Sequence, residues 1–385
     1  MFRDLNILIF AILLLITPVM AGTTLFVPSE GSVSSTGVKD ITNAPGGSLV
    51  FATDTGLSEY NGEWTITHVN RTDIGHKDVI DVPLNDYILA VEYDSRGNLW
   101  LGYTNGLQIH NSSSTITIRD QQLLKNLDVR GLQKRGDEMW VATGNAGLHC
   151  YLDGEWTWYK PFSEGAPECY QVAGMAVDYS TGALIVSSEE GGAWILAENG
   201  GYKGFVRLVE DDEFISSGMG QVRSSSFGGV FLFNTTAVVG YNNASGLYPI
   251  LSVEDLNDQS AAQEGILVSR IYDIVQANDG QYVIATDGGI LCWKDGQVTM
   301  HLGQWDIKNN IVHKLFIDNS GRWWFANQHY VGYYLNDYSS PVMVLEIPDS
   351  QVNNTSASDV SVVPPSTSGM PWPFEDIWNW LNSLF

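Results

Sequence analysis

Apolar and polar residues alternate in short runs along most of the chain, and turn residues break the runs at near-regular intervals. In the clearest stretch Ile88 to Tyr93 alternates, Asp94-Ser-Arg-Gly97 reads as a turn, and Leu99 to Tyr103 is a second run. Thr104-Asn-Gly106 is a tight hairpin turn of the Asn-Gly kind. Leu107 to His110 follows, then Asn111-Ser-Ser and the run Thr115-Ile-Thr-Ile118. Period-two alternation bounded by Gly, Asp and Asn predicts four antiparallel strands in about 35 residues.

The phrase at the centre of this stretch recurs. Asp94-Ser-Arg-Gly-Asn-Leu-Trp-Leu-Gly-Tyr-Thr-Asn-Gly-Leu107 returns as Gly136-Asp-Glu-Met-Trp-Val-Ala-Thr-Gly-Asn-Ala-Gly-Leu148 and as Asp279-Gly-Gln-Tyr-Val-Ile-Ala-Thr-Asp-Gly-Gly-Ile290. Weaker copies begin at Gly47 and Asp318, and degenerate ones at Tyr179 and Gly228. With Val50, Trp100, Trp140, Ile185, Phe231, Val283 and Trp324 as one slot, the spacings are 50, 40, 45, 46, 52 and 41. Strand-rich units at a period of roughly 45 predict an all-β, seven-bladed β-propeller of four-stranded antiparallel blades. First strands are expected near residues 38, 87, 129, 172, 218, 271 and 312. A blade has two apolar faces and needs a neighbour on each, so the ring must close. Thr24 to Val27 is expected to complete the last sheet, beside or in place of Pro341 to Glu346.

The Asp-x-x-Gly-Asn-Leu-Trp-Leu-Gly-x-x-x-Gly-Leu phrase resembles the two-component-regulator propeller repeat. The match is good in blades two, three and six, fair in one and seven, and poor in four and five. That resemblance implies an extracytoplasmic recognition role ahead of a membrane helix and a histidine kinase, and this chain shows neither kinase motif nor internal membrane helix. The Asp-x-x-Gly-x-x-Trp turn also looks like the Asp-box turn of sialidases, which implies a structural role for Asp94 and Asp318.

The ends read differently from the body. Leu5 to Thr17 is a largely apolar run after Arg3, and Val19-Met20-Ala21 ends in a small residue, so residues 1–21 are expected to be a signal peptide. A retained N-terminal anchor is the alternative. The propeller is assigned to 22–346, a Ser/Thr/Pro-rich flexible linker to 347–373, and a short amphipathic helix to 374–385. In that last segment Phe374, Ile377, Trp378, Leu381 and Phe385 recur at helical spacing. It is too short to span a bilayer, and envelope or partner attachment is the expected use.

The formal charge of −25, from 44 acids against 19 bases, excludes nucleic acid as the expected partner, because phosphate binding needs clustered Lys and Arg. Asn70, Asn111, Asn234, Asn243, Asn353 and Asn354 head Asn-x-Ser/Thr triplets, as expected of a glycosylated export. Cys150 and Cys292 occupy the slot filled elsewhere by Ile109 and Ile195 and so read as buried apolar positions. A Cys150–Cys169 bridge is the other reading. No metal-type Cys/His spacing and no cofactor fingerprint occurs.

In a four-stranded blade the second-to-third turns share a face with the links between blades, and ligand sites on propellers gather there. Those turns place Asp54, Asn105, Asn145, Glu189, Glu190, Asp287, Gln328 and His329 on that face as candidate ligand-binding residues. The links add Asp73, His76, Asp78, Asp211, Asp212 and Glu213. Turns also favour Asp and Asn for backbone reasons alone. No catalytic motif is present, so a ligand- or protein-recognition module is the expected function, with a protein, peptide or glycan as ligand. A structural envelope protein is the second reading. A lyase resembling streptogramin-type lyases is the third, with His76, His313 and His329 near the channel mouth.

Overall fold

The computed structural model describes residues 22–68, 84–188, 190–199, 202–208, 220–263 and 267–335. Within them the repeats form seven four-stranded antiparallel sheets. The inner strands are Val38–Asn43, Ala90–Tyr93, Val129–Arg135, Gly174–Asp178, Gln221–Ser224, Ile271–Gln276 and Val312–Ile317. Each lies beside the next, and the last lies beside the first, so the blades make a closed ring around a channel. The signal peptide, the Pro341 to Glu346 strand, the linker and the C-terminal helix expected from the sequence lie outside the described residues. Among the described residues no helix is long and apolar enough to cross a membrane.

Closure is made by the N-terminal candidate. Gly22–Phe26 pairs antiparallel with Val331–Leu335 and becomes the outer strand of blade seven. Phe26 then meets Tyr60 and Trp64 of blade one at ring centroids of 5.5 and 5.2 Å, and Trp324 of blade seven at 6.1 Å. The Arg322 guanidinium stands over the Tyr60, Trp324 and Tyr333 rings. Each such aromatic pair adds about 0.5–1.5 kcal/mol beyond its buried area, so the seam that joins the two ends of the chain is heavily reinforced.

All seven residues of the repeat slot sit in second strands and are buried. The register sets Trp100 opposite Ile109, Trp140 opposite Cys150, Ile185 opposite Ile195 and Val283 opposite Cys292, which accounts for the apolar thiol positions. All three cysteines are buried and free, so the Cys150–Cys169 bridge is not made. Burial pushes the Cys150 and Cys169 thiols up to about 12.

Two features of the recurring phrase have direct physical causes. Asp94 accepts hydrogen bonds from Arg96 N (3.0 Å), Asn98 N (2.8 Å) and the Trp100 indole (3.0 Å). Asp318 does the same for Ser320 N, Arg322 N and the Trp324 indole, at 2.8, 3.0 and 2.8 Å. The Asp therefore both closes the first hairpin and fixes the core tryptophan, which bears out its reading as a turn residue. The Gly before Leu is needed because the outer strand passes close by. A Cβ on Gly106 would lie 2.7 Å from the Ile118 carbonyl oxygen, and one on Gly147 would lie 2.9 Å from that of Tyr159. Their φ values of 144° and 71° also exclude most side chains.

Candidate functional site

The upper face, where the blade-to-blade links and second-to-third turns meet, carries the expected rim residues, and most of them hold the backbone. Asn85, just before the inner strand of blade two, accepts from Tyr87 N at 2.8 Å and donates to Asn105 at 2.9 Å. Asn126 repeats the pattern in blade three, accepting from Asp128 N and donating to Asn145. Asn309 accepts from Ile311 N and donates to Gln328 at 3.5 Å in blade seven. In blade six Asp287 accepts from Ser269 N (2.9 Å), Arg270 N (3.1 Å) and the Ser269 hydroxyl. Burial works against its charge, but these bonds hold the Asp287 carboxyl below its ordinary range. Asp54 lies against Gly37 in the space a Cβ would need. Glu190 and His329 are exposed, their backbone N–H groups bonded to Ser188 and Asn327. The rim is thus largely a set of latches, each tying a blade's turn to the link that feeds the same blade.

Several expectations fall outside the described residues: Glu189, Asp73, His76, Asp78, Asp211, Asp212 and Glu213, and the triplets at Asn70, Asn353 and Asn354. Of the other triplets, Asn111 is exposed and its side-chain oxygen accepts from Ser113 and Ser114. Asn234 caps its own turn through Thr236 N and Ala237 N, and Asn243 is half-buried. His149 is buried beneath the rim, where its Nε2 accepts from Lys125 N at 3.1 Å. Burial, aided by the Lys125 charge, lowers it to about 4.

The charged groups that converge sit deeper, in the channel. Its lumen has a volume of about 510 Å³ and is lined by the inner strands of all seven blades. Blades one, three, six and seven each carry a register shift near the upper end of the inner strand, at Lys39, Arg130, Tyr272 and His313. Such bulges re-aim a side chain, and here Lys39 and Arg130 reach the lumen. The residues that follow the shift in blades one, six and seven are Asp40, Asp273 and Lys314, and each reaches to the next blade. Asp40 accepts from Val91 N at 3.1 Å, Asp273 accepts from Leu315 N at 3.0 Å, and Lys314 donates to the Lys39 carbonyl at 3.0 Å. Arg223 of blade five grips Asp273 in a fork, at 2.8 and 3.1 Å.

The electrostatics follow from this crowding. Burial opposes both charges of the pair, but Asp273 outweighs it and raises the guanidinium, and Arg223 with Lys314 outweighs it and holds Asp273 low. Burial and then the Arg223 charge lower Lys314, with Asp40 and Asp273 pulling the other way. Glu92 accepts from the Thr42 hydroxyl at 3.0 Å and from Tyr93 N at 2.9 Å. Its carboxyl is raised to about 7, because it projects into a lumen walled by protein and desolvation outweighs those two bonds. His313 bonds the Thr36 carbonyl at 3.0 Å, and burial lowers it.

None of the lumen charges was among the expected site residues. A signal was available: a charged residue in the middle of a short, otherwise apolar inner strand, as in Val38-Lys-Asp-Ile41 and Val312-His-Lys-Leu315. What could not be read was that these strands are innermost and face one another. Among the described residues, no group of three or more His, Cys, Asp and Glu side chains is placed to hold a metal ion.

No known family's sequence profile matches the chain, and no curated protein does. Among solved structures it is similar to the extracellular domain assigned to the hybrid two-component system BT3049 of B. thetaiotaomicron, with a TM-score of 0.62 and 19% identity. That likeness covers 84% of this chain and 42% of the other, so the chain spans about two fifths of its length. It is also similar to a streptogramin B lyase (TM-score 0.55, 12% identity, 82% and 97% covered). A third is YCF48 bound to D1 peptide (TM-score 0.56, 14% identity, 83% and 96% covered). At these identities the likeness establishes the fold.

Proposed function

We propose that this chain is a recognition module of the sensor type, working outside the cytoplasm, whose ligand enters at the upper face and seats in the channel. The observation that carries this is a preformed lumen of about 510 Å³ in which charged side chains from separate blades converge. That volume is in the range of small-ligand pockets. The likeness to an extracellular two-component domain supports the sensor reading, and the peptide complex of YCF48 shows one propeller serving as a binding surface. Export through residues 1–21, glycosylation at the Asn-x-Ser/Thr triplets and attachment through 374–385 belong to the same proposal. In it the rim latches keep the mouth in shape, and exposed Glu190 and His329 make the first contacts.

The test is a thermal-shift screen of the full chain against peptides and glycans, since a ligand that binds the folded state raises the melting temperature. Hits are then repeated on Gln221→Trp, which fills the lumen, and on Asp287→Asn at the rim. The expected result is a shift abolished by the first change and kept by the second. A shift lost only with Asp287→Asn would return the site to the rim. Turnover is the competing reading, drawn from the lyase's fold and from His313 at the mouth. Catalysis by the wild type that disappears in His313→Ala would establish it.

A further inference from the structure

The hydrogen-bonding capacity left over in the lumen is one-sided. The two Asp273 oxygens accept from Ile274 N, Leu315 N and both arms of Arg223, which fills them. The Asp40 oxygens accept from Ile41 N and Val91 N, with Lys314 also 3.6 Å away. Glu92 has Thr42 and Tyr93 on one oxygen. Asp40 and Asp273 are therefore taken up by backbone N–H groups and by Arg223, and the bonds to Glu92 fall on one of its oxygens.

The cations are not used up in the same way. Arg223 employs two of its donor groups on Asp273, out of the roughly five a guanidinium carries. Arg130 employs Nε on Asp128 at 2.8 Å, leaving the outer edge of its fork. Lys314 donates to the Lys39 carbonyl and keeps further N–H groups. The Lys39 ammonium stands 5.3 Å over the Tyr87 ring and has no oxygen partner among the described residues. Two of these cations sit at the mouth and two deeper, on blades one, three, five and seven. A protein of charge −25 has thus brought four of its 19 Lys and Arg to one small space.

We infer that the ligand of this lumen is an organic anion, bound through a carboxylate held by Lys39, Arg130, Arg223 and Lys314. The inference rests on the lumen being the recognition site and names the chemistry it selects. The rest of such a ligand would meet Leu132, Val91 and Phe316 on the apolar side and Asn43 and Gln221 on the polar side. The carboxylate could belong to a free organic acid or to the end of a peptide.

Isothermal titration of the full chain separates these. Succinate and citrate form one arm. A trialanine peptide with a free C-terminus, against its C-terminal amide, forms the other. The expected result is binding of succinate or citrate at millimolar concentration in the first arm, or at least tenfold tighter binding of the peptide acid than of its amide in the second. The double variant Lys39→Met, Arg130→Met should remove that binding with little change in melting temperature, because Arg130 bonds Asp128 of its own blade and Lys39 touches the next blade only over the exposed Tyr87 ring. Citrate binding with an indifferent peptide arm assigns a free acid; the reverse assigns a chain end. Equal affinity for peptide acid and amide, with no heat from either organic acid at millimolar concentration, overturns the inference. If Gln221→Trp still abolishes a neutral hit in that case, the lumen stands as the site and only its charge preference falls.

Discussion

The upper rim and the lumen wall both carry polar side chains, yet those side chains work over different distances. At the rim, Asn85 meets Asn105 and Ser269 meets Asp287, partners 20 and 18 residues apart within one blade. In the lumen, Asp40 reaches Val91, Arg223 reaches Asp273 and Lys314 reaches Lys39, partners 51, 50 and 275 residues apart in neighbouring blades. Rim latches join parts of one blade. Lumen staples exist only once neighbouring blades have docked, and the Lys314–Lys39 staple only once the ring has closed; they leave unused donors facing a common space. The comparison teaches that a polar turn residue can be spent on its own blade, whereas a charge on an innermost strand is brought to face other blades.

The largest expected effect separates the two regions by stability. Asp273→Ala would remove a buried carboxylate and leave the half-buried Arg223 without its counter-charge, at a cost of about 3 kcal/mol. Asp287→Ala, on a solvated turn, should cost only about 1 kcal/mol. Urea unfolding at neutral pH measures both, and equal costs would dissolve the distinction.

The next effect separates them by pH. Glu92 is raised from 4.5 to about 7 by desolvation, with Asp40 adding to the rise and Lys134 opposing it, while Tyr179 also faces it. A carboxyl raised on folding stabilises fully below its unfolded value, and that contribution is lost as pH rises through about 7, up to about 3 kcal/mol. His149 behaves in the opposite sense. It is lowered from 6.5 to about 4, so its contribution is present above about 6.5 and is lost as pH falls towards 4. Melting curves from pH 4 to 8 should show Glu92→Gln flattening the alkaline side and His149→Gln the acid side. A Glu92→Gln variant with the wild-type slope between pH 5 and 8 would show that this carboxyl is not desolvated. The smallest effect is Asn105→Ala, which removes one exposed latch and should cost less than about 1 kcal/mol. A larger loss would mean that the mouth is held under more tension than its geometry indicates.

Much of the architecture was legible because it is local and repeated. The slot from Val50 to Trp324, the Asp94 and Asp318 turns and the Gly before Leu each solve a problem within one hairpin, so the solution recurs wherever the hairpin does. The apolar reading of Cys150 and Cys292 followed from the same register. The buried cluster of Arg135, Glu138, Glu198 and Lys203 had no such signature. Arg135 bonds Glu138 at 2.9 Å and Glu198 at 3.0 Å, and the two glutamates lie in adjacent blades. Its members occur once each, and nothing in the order of residues couples them.

By itself, then, the order of residues determined the period, the strands, the turns and the count of blades, since these rest on alternation and backbone conformation that neighbours in the chain impose on one another. Tertiary structure alone decided the register in which Gly22–Phe26 closes the ring, that the rim carboxylates and carboxamides hold turns, and that Lys39, Arg130, Arg223 and Lys314 line one lumen. Those outcomes depend on which strands end up innermost and adjacent after closure. The energy of a charge there comes from desolvation and from partners contributed by other blades, and neither quantity exists until those blades have docked.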